Sequence, residues 1–339
     1  IFDCTPVDKE KRNLLSLVDG FSSQKIAVWG DFILDEYIYG TTRRISREAP
    51  VLILSYRNRE FSLGGAGNSV LNLKALGANP LPIGVIGTDD SGIKILQMLK
   101  NNRVSTDFLI KDKDYQTPIK TRILAGEEST RKQQILRIDR EGCVPESIKL
   151  RQKIQKSLEN VKKKIKGLLI SDYNYLTVKE QIFDKILPLF KKSDIVVTLD
   201  SRFRLLNFKG VTVSTPNEPE VEGALRVEIK DDSQVLKRAG RLLLKKTGAT
   251  AVLITRGSKG MALFERKRPP FLIPIHGSTD IVDVTGAGDT VISVLTLALT
   301  CGATLREAAR LANYAGAIVV MKKGTATLST QELKLAIVS

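Results

Sequence analysis

Histidine is almost missing from this sequence: His276 stands alone among 339 residues. That excludes His-based metal clusters and leaves a Ser/His/Asp triad dependent on one imidazole. Cysteine is nearly as scarce. Cys4, Cys143 and Cys301 lie far apart with no CxxC pair, so neither a disulfide framework nor a thiolate metal site is indicated. Long apolar runs are also lacking. Stretches such as Val291–Leu299 fall short of the roughly 20 residues a spanning helix needs, and the N-terminus has no basic-then-apolar signal pattern. A soluble, cytoplasmic protein with no membrane partner is the expectation. No GxxxxGK[ST] occurs, and no GxGxxG follows a strand, so neither a Walker-type phosphate loop nor a dinucleotide fingerprint is present. Any catalysis falls to carboxylates and backbone.

Positive charge, by contrast, is abundant, with a formal net charge of +16. The basic residues are dispersed in short runs (Lys162–Lys164, Lys191–Lys192, Lys245–Lys246, Arg266–Arg268) without interleaved aromatics, and no nucleic-acid-binding motif is recognisable. No nucleic-acid partner is expected. The field would still attract anionic small substrates.

With 42% hydrophobic residues, the chain can bury a large core as one α/β domain, with or without an insertion. Short β-branched runs end in polar or glycine clusters and mostly lead into helical patterns: IAVWGD (26–31), LLISDY (168–173), IVVTLDSR (195–202), VTVSTPNEPE (211–220) and AVLITRGSKG (251–260). Between them, segments such as Ser91–Leu99 have helical spacing. Such alternation predicts a parallel sheet covered on both faces, with ligands at the carboxyl ends of its strands, where Asp31, Asp172, Asp200, Asn217 and Arg256 lie. Residues 36–62 and 115–140 break the pattern and read as extended segments. They form either a small separate sheet acting as a lid or edge strands of the main sheet. No repeat, low-complexity tract or interdomain linker is visible.

The octapeptide DVTGAGDT (283–290) precedes an apolar helix. A Gly-Ala-Gly turn there aims unpaired N–H groups at one spot, and the helix dipole adds positive potential, which together suit a phosphate. Asp289 in the first turn is expected to be ionised at neutral pH, held in that form by the same N–H groups, and able to accept a proton. An anion hole and a base in one turn suit phosphoryl transfer to a hydroxyl. The plainer reading is a capping aspartate at the entry of a buried helix.

These stretches, together with GGAGNSVLNLKALGA (64–78), VIGTDDSG (85–92), SDY (171–173), TPNEPEVE (215–222) and ITRGSKGM (254–261), resemble in their order the ribokinase-like, PfkB-type sugar kinases. The resemblance covers nearly the whole chain. It implies a three-layer α/β/α fold with a mostly parallel central sheet and a small β-sheet lid, in a single kinase domain over 1–339 without a nucleotidyltransferase domain. Within that family, GDFILDEYIYGTTRRISREAPV (30–51), KTRILAG (120–126) and QQILRIDRE (133–141) resemble the kinases of D-glycero-D-manno-heptose 7-phosphate, which phosphorylate the anomeric hydroxyl on the way to nucleotide-activated heptose for lipopolysaccharide.

Carried over by position, the resemblance makes Asp289 the base and Gly286, Ala287 and Gly288 the anion hole. Asn217 and Glu220 would organise Mg²⁺ and its waters at the ATP phosphates, a role that suits hard oxygen ligands. Ser201, Thr255, Arg256, Gly257, Gly260 and Asn313 would lie on the nucleotide side. Asp283 and Thr285 match positions that bind a monovalent cation such as K⁺ in some relatives. Asp31, Asp35, Gly64, Gly65, Asn68 and Asp172 would meet the sugar, and Arg44, Lys120, Arg122, Gln134 and Arg137 its distal phosphate or rim. The plain alternatives are a strand-ending Asp31, a Gly64–Gly65 turn, a capping Asn68 and solvated lid cations. Lid strands imply a homodimer. Three departures from the heptose-kinase pattern are Arg47 for a proline, Asn174–Tyr175 for Lys-Gly, and Ser201–Arg202 for Pro-Lys. A kinase of another sugar, a non-catalytic sugar-phosphate sensor and a basic nucleic-acid binder are the competing functions.

Overall fold

The computed structural model of the chain describes residues 6–126, 132–277 and 281–339. In chain order the first half runs α1 (Pro6–Asp19), β1 (Lys25–Gly30), β2 (Phe32–Ile45), β3 (Leu52–Gly65), α2 (Ala66–Ala75), β4 (Asn79–Gly87), α3 (Asp90–Asn101), β5 (Leu109–Asp112), β6 (Ile119–Gly126), β7 (Gln133–Arg140) and α4 (Ile148–Lys162). The second half runs β8 (Gly167–Asp172), α5 (Glu180–Lys191), β9 (Val196–Ser201), β10 (Val213–Ser214), α6 (Glu218–Leu225), α7 (Ser233–Thr247), β11 (Ala251–Thr255), β12 (Met261–Glu265), β13 (Phe271–Ile273), α8 (Ala287–Thr300), α9 (Leu305–Val319) and α10 (Thr330–Val338).

Nine strands form one sheet in the order β13-β12-β11-β10-β9-β8-β1-β4-β5. Every pairing from β10–β11 through β4–β5 is parallel; the β11–β12 and β12–β13 pairings are antiparallel, so β12 alone runs against the other strands. Side chains alternate between two cores, as period-two geometry requires. Ile26 and Val28 of β1, Leu169 of β8 and Leu253 of β11 pack with α2, α8 and α9. Ala27, Trp29, Ile170 and Ile254 pack with α4, α5 and α7. Each fully buried large side chain contributes about 1.5–3 kcal/mol. The order reverses at β1, which lies between β4 and β8, so the carboxyl ends of β1, β8 and β9 open a crevice at the switch point.

The two irregular segments form a separate sheet, not edge strands of the main one. Its order is β3-β2-β6-β7, with antiparallel β2–β3 and β6–β7 pairs joined by a parallel β2–β6 pair. The first lid segment reaches further inward than expected, from Phe32 to Gly65, because Phe32, Ile33, Leu34 and Leu63 are buried at its root. Part of the second, residues 127–131, lies outside the described residues. The run 211–220 holds only a two-residue strand, Val213–Ser214, before Asn217 caps α6.

Candidate active site

Helix α8 starts at Ala287, directly after Gly286. Gly286 is its N-cap at φ +76°, a left-handed backbone that favours glycine, and a Cβ there would overlap Asn68 Nδ2. Thr290 N–H closes the first turn onto the Gly286 carbonyl at 3.2 Å. Ala287 N–H, expected in the anion hole, instead donates to the Val284 carbonyl at 3.2 Å. Among the described residues, the N–H groups of Gly286, Gly288 and Asp289 have no partner. These three, with the helix dipole behind them, offer free donors of the kind an anion takes.

Asp289 is 2% exposed. Its Oδ2 accepts from Asn68 Nδ2 at 2.9 Å and its Oδ1 from Tyr173 OH at 3.3 Å. Burial pushes its pKa up to about 7, against the lowering effect of those two donors. The expectation of a fully ionised carboxylate held by backbone amides is therefore corrected. The donors are side chains, and desolvation outweighs them. Asn68 is itself braced by Asn72, which accepts from Thr290 Oγ1 at 3.0 Å, so α2 and α8 hold the carboxylate between them.

In front of Asp289 opens a cleft of about 430 Å³. Asp35, Gly64, Gly65, Lys120, Arg122, Arg137 and Asp172 line it. Asp35 pairs with Arg122 at 2.5 Å, and Gly64 leaves room for that carboxylate, since a Cβ would run into Oδ2. Gly65, at φ +56°, ends β3 against the Asp31 carbonyl. Lys120 is buried, lies 5.2 Å over the Tyr173 ring, and has its pKa lowered by burial and by Arg202. Asp172 accepts from Ser201 Oγ at 2.7 Å and pairs with Arg204, so it also ties β8 to β9.

Four of the expected sugar or phosphate contacts are placed otherwise. Asp31 is wholly buried and does not line the cleft. Its carboxylate accepts the N–H groups of Tyr173, Tyr175 and Thr177 at 2.8, 3.1 and 3.1 Å, and burial raises its pKa to about 6. Asn68 serves Asp289, as described. Arg44 is exposed nine residues along β2 from Asp35, roughly 30 Å at strand rise. Gln134 is exposed on β7, opposite Leu124, and also lies off the cleft.

Asn217 and Glu220 also line the cleft while forming a reciprocal capping box: Glu220 N–H donates to Asn217 Oδ1 at 2.8 Å and Asn217 N–H to Glu220 Oε2 at 2.9 Å. Burial raises the pKa of Glu220. Asp200 is pushed well up by burial and by Glu220, Asp289 and Asp172. This surplus of carboxylates in a sheltered cleft fits a hydrated divalent cation. Among the described residues no three His, Cys, Asp or Glu converge closely enough to hold a metal directly. Asp283 and Thr285 brace their own loop: Thr285 N–H and Oγ1 donate to Asp283 Oδ1 at 2.9 and 2.7 Å, and Gly324 N–H donates to Oδ2 at 2.9 Å. Only Thr285 of the two lines the cleft.

Thr255, Asn217 and Gly288 also border a second, more apolar cavity of about 310 Å³ that includes Gly257, Gly260, Ala287 and Asn313. Asn313 Nδ2 donates to the Pro274 carbonyl at 2.8 Å. Arg256 is drawn aside into a pair with Glu218 at 2.6 Å and lines neither cavity. Ser201 is buried against Asp172 and likewise lines neither.

Tyr173, Thr215 and Thr325 line the cleft although no sequence signal named them as site residues. Tyr173 was within reach, as the aromatic directly after a strand-ending aspartate. Thr325 was not, because it arrives from a distant loop and is pinned to the lid by donating to Ser62 Oγ at 2.6 Å. Asp200, expected at a ligand-bearing strand end, and Arg202, which stands where the resemblance expects a lysine, complete the wall.

Residues 23–332 match the pfkB family carbohydrate kinase pattern. The bifunctional protein HldE of Desulfatibacillum aliphaticivorans is 39% identical over 96% of this chain, and that of Geobacter metallireducens 37% over 96%. The chain spans 65% of the length of these curated relatives. Among solved structures, Arabidopsis thaliana ribokinase complexed with ribose and ATP superposes with a TM-score of 0.72 at 20% identity, covering 93% of this chain and 98% of that one. Phosphofructokinase-2 from Escherichia coli in complex with potassium gives 0.72 at 18%, with the same coverage. Matched by the family pattern over most of its length, and folded with the same parallel sheet and lid, this chain belongs to the pfkB family of carbohydrate kinases and is an ATP-dependent sugar kinase of ribokinase-like fold.

Proposed function

We propose that the chain transfers the γ-phosphoryl group of ATP to the anomeric hydroxyl of D-glycero-D-manno-heptose 7-phosphate, giving the 1,7-bisphosphate and ADP. The observation that carries this reading is the cationic rim of Lys120, Arg122, Arg137 and Arg202 on the cleft that holds Asp289. Arg122 pairs with Asp35 and Arg137 with Asp139, and a terminal phosphate on the acceptor would gain charge-assisted bonds from the rim these two form with Lys120 and Arg202. The resemblance of the lid segments to heptose 7-phosphate kinases supports the same acceptor. So do the HldE relatives, taken by name.

In this mechanism ATP lies along the second cavity with its γ-phosphoryl group at the N–H groups of Gly286, Gly288 and Asp289. Asp289 takes the proton of the acceptor hydroxyl as the new bond to phosphorus forms. The three amides meet the charge that builds on the transferring group. Mg²⁺, when bound, neutralises charge on the phosphates, and Asn217, Glu220 and Asp200 would hold its waters. A monovalent cation beside Asp283 and Thr285 belongs to the same proposal; the rate in KCl against choline chloride tests it. The cytoplasm, where ATP is plentiful, is the setting this reaction calls for. A homodimer formed through the lid is part of the proposal too, supported by the exposed Ile45, Leu52, Tyr56, Leu136 and Ile138 on its strands and tip.

A coupled ADP assay with heptose 7-phosphate, fructose 6-phosphate, ribose and fructose tests the substrate, and ³¹P NMR of the product locates the new ester. The expected result is turnover of the heptose phosphate with an anomeric phosphate, lost by about 10²–10⁴-fold in Asp289→Asn. Turnover of ribose or fructose without the heptose phosphate would overturn it.

A further inference from the structure

Tyr173 is the residue immediately beyond β8, and its hydroxyl reaches the Asp289 carboxylate. It engages Oδ1, while Asn68 engages Oδ2. Two donors on opposite oxygens fix the plane of the carboxylate and leave only its remaining lone pairs for an incoming hydroxyl. The phenol is held in turn. Asp31 gathers the N–H groups of residues 173, 175 and 177, while the intervening Asn174 and Leu176 both stand at φ +67°. A left-handed leucine is a strained backbone that persists only where its surroundings enforce it. Gly65 gives the ring room, since a Cβ there would come within 3.3 Å of Tyr173 Cε2.

We infer that Tyr173 is a positioning residue for the base, its hydroxyl orienting Asp289 towards the acceptor and its own place set by the Asp31-anchored loop. The inference rests on the reading of Asp289 as the base. At 3.3 Å the bond is long for two oxygens, and it tightens as the site closes on its substrates. The hydroxyl donates to the charged carboxylate, so its removal raises the proton affinity of Asp289.

The experiment is kcat/KM against pH, with saturating MgATP, for the wild-type chain, Tyr173→Phe and a chain carrying 3-fluorotyrosine at 173, a stronger donor that keeps the ring. Lys120, Arg122, Asp35, Arg137, Asp200, Arg202 and Glu220 face the same cleft and Asp31 titrates nearby. All are common to the three proteins. The expected result is a plateau above about pH 8.5 retained within about threefold in Tyr173→Phe, and an activity about three- to tenfold lower than wild type at pH 6. The fluorotyrosine chain moves its acid limb the other way. Acid limbs that superimpose in all three proteins overturn the inference. Should Tyr173→Phe lose its fold, the fluorotyrosine shift alone decides. Wild-type turnover in Asp289→Asn would instead remove the base itself, a failure distinct from an Asp289-dependent reaction indifferent to Tyr173.

Discussion

As the proposed base, Asp289 would couple the chemistry of this chain to its stability. Its folded-state pKa of about 7 lies above its ordinary 3.8, so the group favours the fold when protonated and weakens it as pH rises through that interval. By pH 8 the ionised carboxylate costs the native state on the order of a few kcal/mol. Asp289→Asn keeps the size and the partners Asn68 and Tyr173 without the charge. Its melting temperature at pH 8 is predicted to exceed wild type by about 2–5 °C, a gain that shrinks towards pH 5; scanning calorimetry at the two pH values checks this, and an equal or lower value at pH 8 contradicts it. The same pKa predicts that kcat/KM falls about tenfold per pH unit below roughly pH 6.5. A flat profile from pH 5.5 to 8 would show that no carboxylate with so high a pKa accepts the proton.

In the proposed mechanism helix α8 and its entry turn supply the anion hole, and that hole depends on one glycine. Gly286→Ala places a Cβ onto Asn68 Nδ2 at a backbone conformation alanine avoids, so it disturbs both the amides and the carboxylate. The predicted loss in kcat is about 10²–10³-fold with ATP affinity kept within a few-fold, read by steady-state kinetics and calorimetric titration. An unchanged kcat would place the transferring group elsewhere. This element was legible in advance, because glycine before an apolar helix is a local pattern. So were the parallel strands and the separate lid, whose period-two runs sit between helical repeats. The charge state of Asp289 was not legible, since desolvation depends on Asn68, Tyr173 and the lid, far away in the chain. Asp31 was misread for the same reason: an aspartate after a strand looks the same whether it meets a sugar or three backbone amides from residues 173–177. Arg44 and Lys120 looked alike as lid cations, and only the strand register separates the one at the root from the one roughly 30 Å out.

At the scale of the whole molecule, the lid does two jobs from one sheet. Its root carries Asp35, Lys120, Arg122 and Arg137 to the cleft, and its outer strands expose apolar side chains, with Tyr56 65% exposed. Leu136 and Ile138 lie two apart on β7 and so share a face. Leu136→Asp combined with Ile138→Asp is predicted to convert a dimer to monomer in sedimentation velocity at micromolar concentration; a wild-type monomer under those conditions contradicts the lid as an interface. The net charge of +16 belongs to this scale as well, as a field that draws in anionic sugars and nucleotides. The most direct measurement is kcat/KM for D-glycero-D-manno-heptose 7-phosphate against the same heptose without its phosphate. A cleft built to cradle a second phosphate predicts a ratio of at least about 100, reduced tenfold or more in Arg122→Gln. A ratio near one, unaltered by that substitution, contradicts it.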